Sequence, residues 1–320
     1  MADISIKEAY DRFISNGESY WAKGTLGYYR KNVGYFLQYL EGRFGRSLDS
    51  LMLSELPDTI FMEYVVFLRA KERYADHPLR GCMNVNGTIK SNTVRTYCRA
   101  VKAFFNYLYR NRYTCIRYTE DVRLPKSDDD MIVPLLDSEV VKIDSIFDID
   151  VPNDLRNLCI IHLMLDAGLR SCEVISLEPG DVIFSSSTII INRSKGNKSR
   201  AVKMCPKLSR MLQAYVDIYS PSGTFFRKAD SNKGINEDVI KSLFLRVRRN
   251  TRISRLHPHL LRHTFATSYI MGGGNLETLR ILMGHYDYSV TRTYLHLANQ
   301  YLVLDADIYR LDPIFFKSSY

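Results

Sequence analysis

The sequence predicts a mostly helical protein of two domains, with one small antiparallel β-sheet in the second. Three observations carry that expectation. Apolar residues recur at helical spacing through the first 120 residues. An acidic, polar stretch bracketed by Pro125 and Pro134 then interrupts the periodicity. Beyond it, two short runs with strand character, residues 188–192 and 200–204, flank Ser194-Lys-Gly-Asn197, whose Gly and Asn suit a hairpin turn. A chain of 320 residues is long enough to give each domain its own core.

Taken in order, a first helix begins over residues 6–13, and amphipathic helices follow at 25–40 and 59–69. An Asn- and Gly-rich loop around residues 81–87 precedes a fourth helix, 91–109. Its apolar stripe is Val94, Tyr97, Val101, Phe104, Phe105 and Leu108; its other face carries Arg95, Arg99 and Lys102, with Lys90 just before it. The expected division is a helical domain over 1–124, a linker over 125–136, and a mixed domain over 137–320 whose residues 301–320 form a tail. In that second domain Asp154 is expected to N-cap a helix ending near Gly168, with Leu155, Leu158, Cys159, Ile161 and Leu165 facing inward. After the hairpin, helices are expected over 237–249, 258–271, 276–283 and 289–297, with no internal repeat or low-complexity segment.

Composition excludes several classes. Hydrophobic residues at 46% and charged residues at 25% are ordinary for a globular chain, and the longest apolar runs, such as 64–68 and 163–165, fall far short of a membrane span. Asp3 and Glu8, with no apolar stretch beside them, argue against a signal peptide. Cys82, Cys98, Cys115, Cys159, Cys172 and Cys205 are widely spaced and form no C-x-x-C pair. That pattern argues for reduced thiols in the cytoplasm and against a metal ribbon or disulfide framework. Charge is unevenly spread: +6 over residues 1–125, −9 over 126–190, +13 over 191–262, and +9 for the whole chain. So dense a basic block is the footprint of a polyanion partner or, read alone, a solvated basic face.

Four sites in the second domain bear polar residues at telling spacings. Ala167-Gly-Leu-Arg170-Ser-Cys-Glu173 sets an arginine just past a helix end, where Gly168 can take the left-handed conformation; alone it reads as a surface arginine. His257-Pro-His259-Leu-Leu-Arg262-His263 begins a helix at Pro258, so positions 259, 262 and 263 share one face. Three histidines raise zinc, but no H-E-x-x-H and no neighbouring acidic or thiol ligand supports it. Leu282-Met-Gly-His285 ends one helix, and Tyr294 follows His285 by nine residues; alone, that tyrosine reads as a half-buried aromatic. In the hairpin, Gly196-Asn-Lys-Ser199 faintly echoes a phosphate-binding loop, without the upstream glycine such a loop needs.

Together these pieces resemble the tyrosine recombinases, the group of the phage integrases and the Xer-type resolvases. The matching segments are Ala-Gly-Leu-Arg-Ser-Cys-Glu, Ser-Lys-Gly-Asn-Lys-Ser-Arg, His-Pro-His-Leu-Leu-Arg-His-Thr-Phe-Ala-Thr, and Leu-Met-Gly-His followed by Thr-Arg-Thr-Tyr-Leu-His. The N-terminal half matches more loosely, through Thr-x-x-x-Tyr patterns beginning at Thr25 and Thr93. The resemblance implies a helical SAM-like core-binding domain followed by an α+β catalytic domain. It implies site-specific cleavage and rejoining of duplex DNA at short core sites, by a homotetramer, without metal, ATP or other cofactor. It implies a nucleophile at Tyr294, phosphate-holding guanidinium groups at Arg170 and Arg262, and a general acid at Lys195, with Lys198 its neighbouring competitor. His259 then assists proton transfer at the tyrosine oxygen, His285 donates to the phosphate, and Glu173 props the site by hydrogen bonding; His257 and His263 remain structural. The two domains of the family clamp duplex DNA. Lys90, Arg95, Arg99 and Lys102 are candidates for the first half of that clamp, and Lys241, Arg246, Arg248 and Arg249 for the second. The helical domain starts near residue 1, which leaves no room for a further arm-binding domain and favours a simple Xer-like enzyme. The apolar tail ending Leu311-Asp-Pro-Ile-Phe-Phe316 either folds back on its own domain or docks on a neighbour.

The chemistry suits these residue types. Attack on a phosphodiester adds negative charge to the non-bridging oxygens, which permanently charged planar forks stabilise. The leaving 5′-oxygen needs a proton, which a lysine among other cations can release. A phosphotyrosyl bond conserves the energy needed for rejoining. Rival readings are a type IB topoisomerase, with similar chemistry and no pairing of sites, and a non-catalytic DNA-binding accessory protein. The Gly-His before the tyrosine speaks against the first, and the complete set of active residues against the second.

Overall fold

The computed structural model describes residues 3–73, 87–126, 133–192, 199–228, 231, 233–285, 291, 292 and 294. The chain divides into two compact units, Met1–Asp130 and Met131–Tyr320.

The first unit contains α1 (Ile6–Glu18), α2 (Lys23–Phe44), α3 (Ile60–Ala70) and α4 (Ser91–Arg110). Ser5 opens α1 by accepting from the Glu8 N–H through Oγ at 3.1 Å. Gly45, at φ +64°, ends α2 in the left-handed conformation. The apolar stripe of α4 closes the core: Val94, Cys98, Val101, Phe104, Phe105 and Leu108 are all buried. Aromatic rings dominate the interior, with Phe36 edge-on to Tyr64 at 4.9 Å and to Phe105 at 5.4 Å.

The second unit contains α5 (Asp137–Asp144), α6 (Pro152–Leu165), α7 (Ser171–Ile175), β1 (Val182–Ile183), β2 (Thr188–Ile191), β3 (Arg200–Lys203), α8 (Pro206–Tyr219), α9 (Glu237–Thr251), α10 (Pro258–Met271) and α11 (Leu276–Met283). The expectation of a mostly helical chain with a small antiparallel sheet is borne out. α6 is its axis: every residue from Asp154 to Leu165 is buried, and α8 and α10 pack against it. Asp154 departs from its expected role. The helix starts at Pro152, because proline at the first position fits the helical φ and lacks an N–H to satisfy. Asp154 is the third residue of the first turn and pairs with Arg246 instead.

The sheet runs β1-β2-β3, antiparallel throughout. Ile189 faces Val202, and Ile191 faces Arg200 across the β2–β3 pair. Ile189, Ile191 and Val202 join the core, while Arg200 occupies an inward position at 7% exposure. The expected hairpin tip, with Lys195 and Lys198, and the tail over 301–320 lie outside the described residues, as does most of the helix expected over 289–297. Among the described residues, no helix is long and apolar enough to cross a membrane.

Candidate active site

The site is assembled at two helix ends. α6 terminates where Gly168 turns left-handed at φ +66°, and the Leu169 N–H closes the turn on Leu163 O at 3.1 Å. Only glycine fits there, since an added Cβ would stand 2.5 Å from the Phe265 ring. The turn delivers Arg170 to the start of α7. There the Arg170 N–H donates to Glu173 Oε2 at 2.8 Å, and Nη1 donates to Oε1 at 2.9 Å.

The second end is the C-terminus of α11, whose last carbonyls lack helical partners. Three guanidinium groups supply them. Arg200 Nε donates to Leu282 O at 2.7 Å, Arg170 Nη2 donates to Gly284 O at 3.0 Å, and Arg262 Nη2 donates to Met283 O. Cations suit this end of the helix dipole. Arg262 also donates from Nη1 to Gly168 O, so one side chain joins the two helix ends. Gly284, at φ +57°, turns the chain toward His285.

Glu173 neutralises part of this charge. Its carboxylate takes both Arg200 Nη1 and Nη2 at 2.7 Å while also holding Arg170. Burial would raise its pKa, but the bonds and charges of Arg200 and Arg170 hold it down at about 2. Arg262 is 4% exposed, and burial, with Arg170 and Arg200 nearby, pushes it down to about 9. It therefore stays charged at neutral pH.

His285 is stripped of charge. Partial burial, then Arg262, Arg170 and Arg200, lower its pKa to about 4. Its Nε2 stands 3.3 Å from Arg262 Nη2, and its Nδ1 stands 3.0 Å from Thr291 Oγ1. Since the guanidinium can only donate, Nε2 accepts and the ring proton sits on Nδ1, directed at Thr291. His259 is exposed, with its pKa lowered by desolvation and by the charges of His257, Arg262 and Arg170. Tyr294 is 4% exposed, its ring 6.1 Å from that of His285 at 10° and 5.3 Å from that of His263 at 43°. Burial pushes its hydroxyl up to about 12, against the pull of Arg262 and Arg170. The His263 ring is forced down to about 4 by burial and neighbouring positive groups, and its Nδ1 has no hydrogen-bond partner among the described residues.

Arg170, Glu173, Arg262, His285 and Tyr294 are thus neighbours, and His259 lies within their electrostatic reach. Arg200 joins them without having been singled out in the sequence; an arginine at an inward position of a strand was the available signal. Lys195 and Lys198 lie outside the described residues. Of the DNA-contact candidates, Arg246 is committed to Asp154, at 2.5 and 3.0 Å, and stacks over Phe147. Arg95 donates to Pro125 O at 2.7 Å. Lys241 pairs with Asp238 at 3.1 Å on the surface of α9. Lys90, Arg99 and Arg249 are exposed, and Lys102 and Arg248 are half-buried. No group of histidine, cysteine and carboxylate side chains among the described residues could hold a metal ion.

Residues 135–301 match the model of the phage integrase family. A tyrosine recombinase of Thermosipho africanus is 27% identical over 280 residues, covering 87% of this chain and 90% of that one. Tyrosine recombinase XerC of Chlamydia caviae is 25% identical, covering 86% of this chain and 88% of its own length. Among solved structures, the Tn1549 transposon integrase in complex with a circular intermediate DNA shares the fold. It has a TM-score of 0.69 at 18% identity, over 91% of this chain and 94% of that one. Because the family model covers more than half of it, this chain belongs to the phage integrase family, the tyrosine recombinases.

Proposed function

We infer that the protein is a site-specific recombinase that cuts and rejoins duplex DNA through a 3′-phosphotyrosyl intermediate. The observation that carries the reading is the convergence of Arg170 and Arg262 on the α11 terminus, with Tyr294 beside them under their charge. Two forks held by backbone carbonyls are preorganised for the non-bridging oxygens of a phosphodiester, and removing one such donor typically costs about 10² to 10³ in rate. Tyr294 Oη attacks phosphorus and its proton passes toward His259. The new Oη–P bond forms as the bond to the 5′-oxygen breaks, and Lys195 protonates that leaving oxygen. His285 donates to the phosphate once DNA displaces its present partners, and Glu173 keeps Arg170 oriented. Rejoining reverses these steps with a second 5′-hydroxyl, so neither ATP nor metal is required.

The partner is double-stranded DNA at short core sites. Lys90, Arg95, Arg99 and Lys102 on α4, together with Lys198, Lys241, Arg248 and Arg249, supply phosphate contacts, which give affinity and salt dependence without reading bases. Arg246 acts in that set only if DNA competes with Asp154. Residues 1–124 form the core-binding domain, 125–136 the linker and 137–320 the catalytic domain, and four protomers assemble on DNA with residues 301–320 docked on a neighbour. The cytoplasm is the compartment proposed, where the free thiols at Cys98, Cys115, Cys159, Cys172 and Cys205 stay reduced.

The test is covalent capture. Wild type and Tyr294→Phe are incubated with sheared genomic DNA, and only DNA surviving denaturant on the protein is sequenced. Recurrent fragments with wild type alone are expected. Capture at scattered sequences would favour topoisomerase-like relaxation. Specific binding without capture would favour an accessory protein. In the same assay, a chain lacking residues 306–320 should still be captured but fail in strand exchange.

A further inference from the structure

Behind the turn between α6 and α7 lies a cluster of titratable side chains that the cleavage chemistry does not use. His162, on α6, is 1% exposed. Its Nδ1 lies 2.8 Å from Asp166 Oδ2, and its Nε2 lies 2.9 Å from Asp144 Oδ1. Lys207 Nζ donates to the other oxygen of Asp144 at 2.7 Å and stands 3.3 Å from His162 Nε2. Cys205 Sγ is 3.7 Å from Asp166 Oδ2 and accepts from the Leu208 N–H at 3.5 Å. Three elements meet here: Asp144 ends α5, His162 and Asp166 end α6, and Cys205 and Lys207 begin α8. Asp137 of α5 and Tyr269 of α10 line the same cleft of about 560 Å³.

A neutral imidazole has a single N–H. To donate to a carboxylate on each side, the ring must carry both protons; the Nε2 proton then goes to Asp144 at 2.9 Å, and Lys207 Nζ at 3.3 Å is a neighbouring cation that opposes it, not its donor. Burial alone would discourage that, yet Asp144 and Asp166 raise the pKa of His162 above the usual histidine value. Asp144 moves the opposite way. Burial would raise it, and the bonds from His162 and Lys207 hold it below the usual carboxylate range.

The position of the cluster gives it a role. Asp166 caps α6, its N–H on His162 O at 2.7 Å. Two residues on, Gly168 offers its carbonyl to Arg262, and Arg170 follows. We propose that His162 is a positioning residue for the arginine pair: its ring ties the end of α6 to α5 and α8, and so fixes the turn that presents Gly168 O and Arg170. This rests on the reading of Arg170 and Arg262 as the phosphate-holding pair. A group whose pKa is raised by folding contributes fully below its unfolded value, and that contribution is lost as pH rises through the folded value. Deprotonation at Nε2, the nitrogen beside Lys207, breaks the direct bond from α6 to Asp144 of α5, which then keeps only Lys207 of α8, and the turn loosens.

The experiment uses the full chain with isotope-labelled histidine, followed by NMR across pH. The His162 ring should titrate above the usual histidine value, and the backbone amides of Leu169 and Arg170 should shift with the same midpoint. Asp166→Asn should move all three midpoints to lower pH. Lys207→Met, a change at a half-exposed side chain that spares both carboxylates, should move them to higher pH. Covalent capture of sheared genomic DNA should decline on the alkaline side with the same midpoint and the same shifts. The proposal is overturned if the two amides ignore the His162 titration, or if the variants move the NMR midpoints and leave the capture profile unmoved. No capture at any pH, with the NMR coupling intact, would instead overturn the reading of the arginine pair and Tyr294.

Discussion

Glu173 holds two arginines on one carboxylate, and both oxygens are fully used: Oε1 by Arg170 Nη1 and Arg200 Nη1, Oε2 by the Arg170 N–H and Arg200 Nη2. With side-chain exposures of 1% for Glu173 and 3% for Arg200, the pair is shielded from solvent screening. Removing one partner strands the other charge in the interior, which typically costs about 3–5 kcal/mol. Glu173→Gln should therefore lose about that much in a denaturant titration at neutral pH; a loss below about 1 kcal/mol would mean that Arg200 finds another partner. The pH dependence has a definite sign. The folded pKa is depressed to about 2 from the ordinary 4.5, so this stability is present above about 4.5 and is lost as pH falls toward 2. Glu173→Gln should lack that acid-side limb. Arg170, Arg262, His285 and Tyr294 were legible in the sequence through motif order. Arg200 was not singled out, because alternation along a strand identifies an inward face without saying whether apolar core or a carboxylate waits there. The tie between Arg262 and Gly168 O was equally hidden, since backbone carbonyls leave no mark in a residue pattern.

At the scale of elements, two helix ends do the positioning, and each depends on one glycine. Gly168 is the more demanding, since its left-handed φ costs a side-chain-bearing residue about 1–2 kcal/mol before any contact is considered. The Phe265 ring adds a clash. Gly168→Ala should destabilise the chain by at least about 2 kcal/mol in thermal or denaturant unfolding. It should depress covalent capture more than DNA binding, because what shifts is the carbonyl that holds Arg262. Equal losses in binding and capture would mean that the turn supports the fold alone. The long helices α2, α4, α9 and α10 were legible because their apolar stripes repeat over three or more turns. α7 is too short for periodicity to be visible, at 5 residues, and α5 buries only Ile143, so it carries no apolar stripe; α11, as short as α5, is marked instead by Asn275 at its start and Gly284 at its end. β1, with two residues, is defined only by its partner. α8 was missed for another reason. Leu208, Leu212 and Tyr215 do repeat at helical spacing, with Pro206 at the start, but they follow directly on β3 without an intervening turn signal.

For the whole molecule, what matters is that the two units bury separate cores. One gathers the aromatic residues of α1 to α4 with Leu51, Leu53 and Tyr118; the other is built around α6. A unit that buries its own core should fold by itself. Residues 1–126 and 133–320, expressed separately, should therefore each melt in a single cooperative transition. The second fragment is the sharper case, because it retains Arg170, Glu173, Arg200, Arg262, His285 and Tyr294 together. If those residues are held by helix ends within the unit, the fragment should keep the acid-side limb due to Glu173. It should also still form the phosphotyrosyl link, at higher DNA concentration. The loss should fall on affinity, since joining two DNA-binding units makes the second contact intramolecular, and the fragment should show a shallower dependence of binding on salt. A 133–320 fragment that folds cooperatively and binds DNA yet is never captured would show that residues 1–126 complete the chemistry as well as the grip. Positioning of Arg170 and Arg262 by the two helix ends would then be insufficient for cleavage.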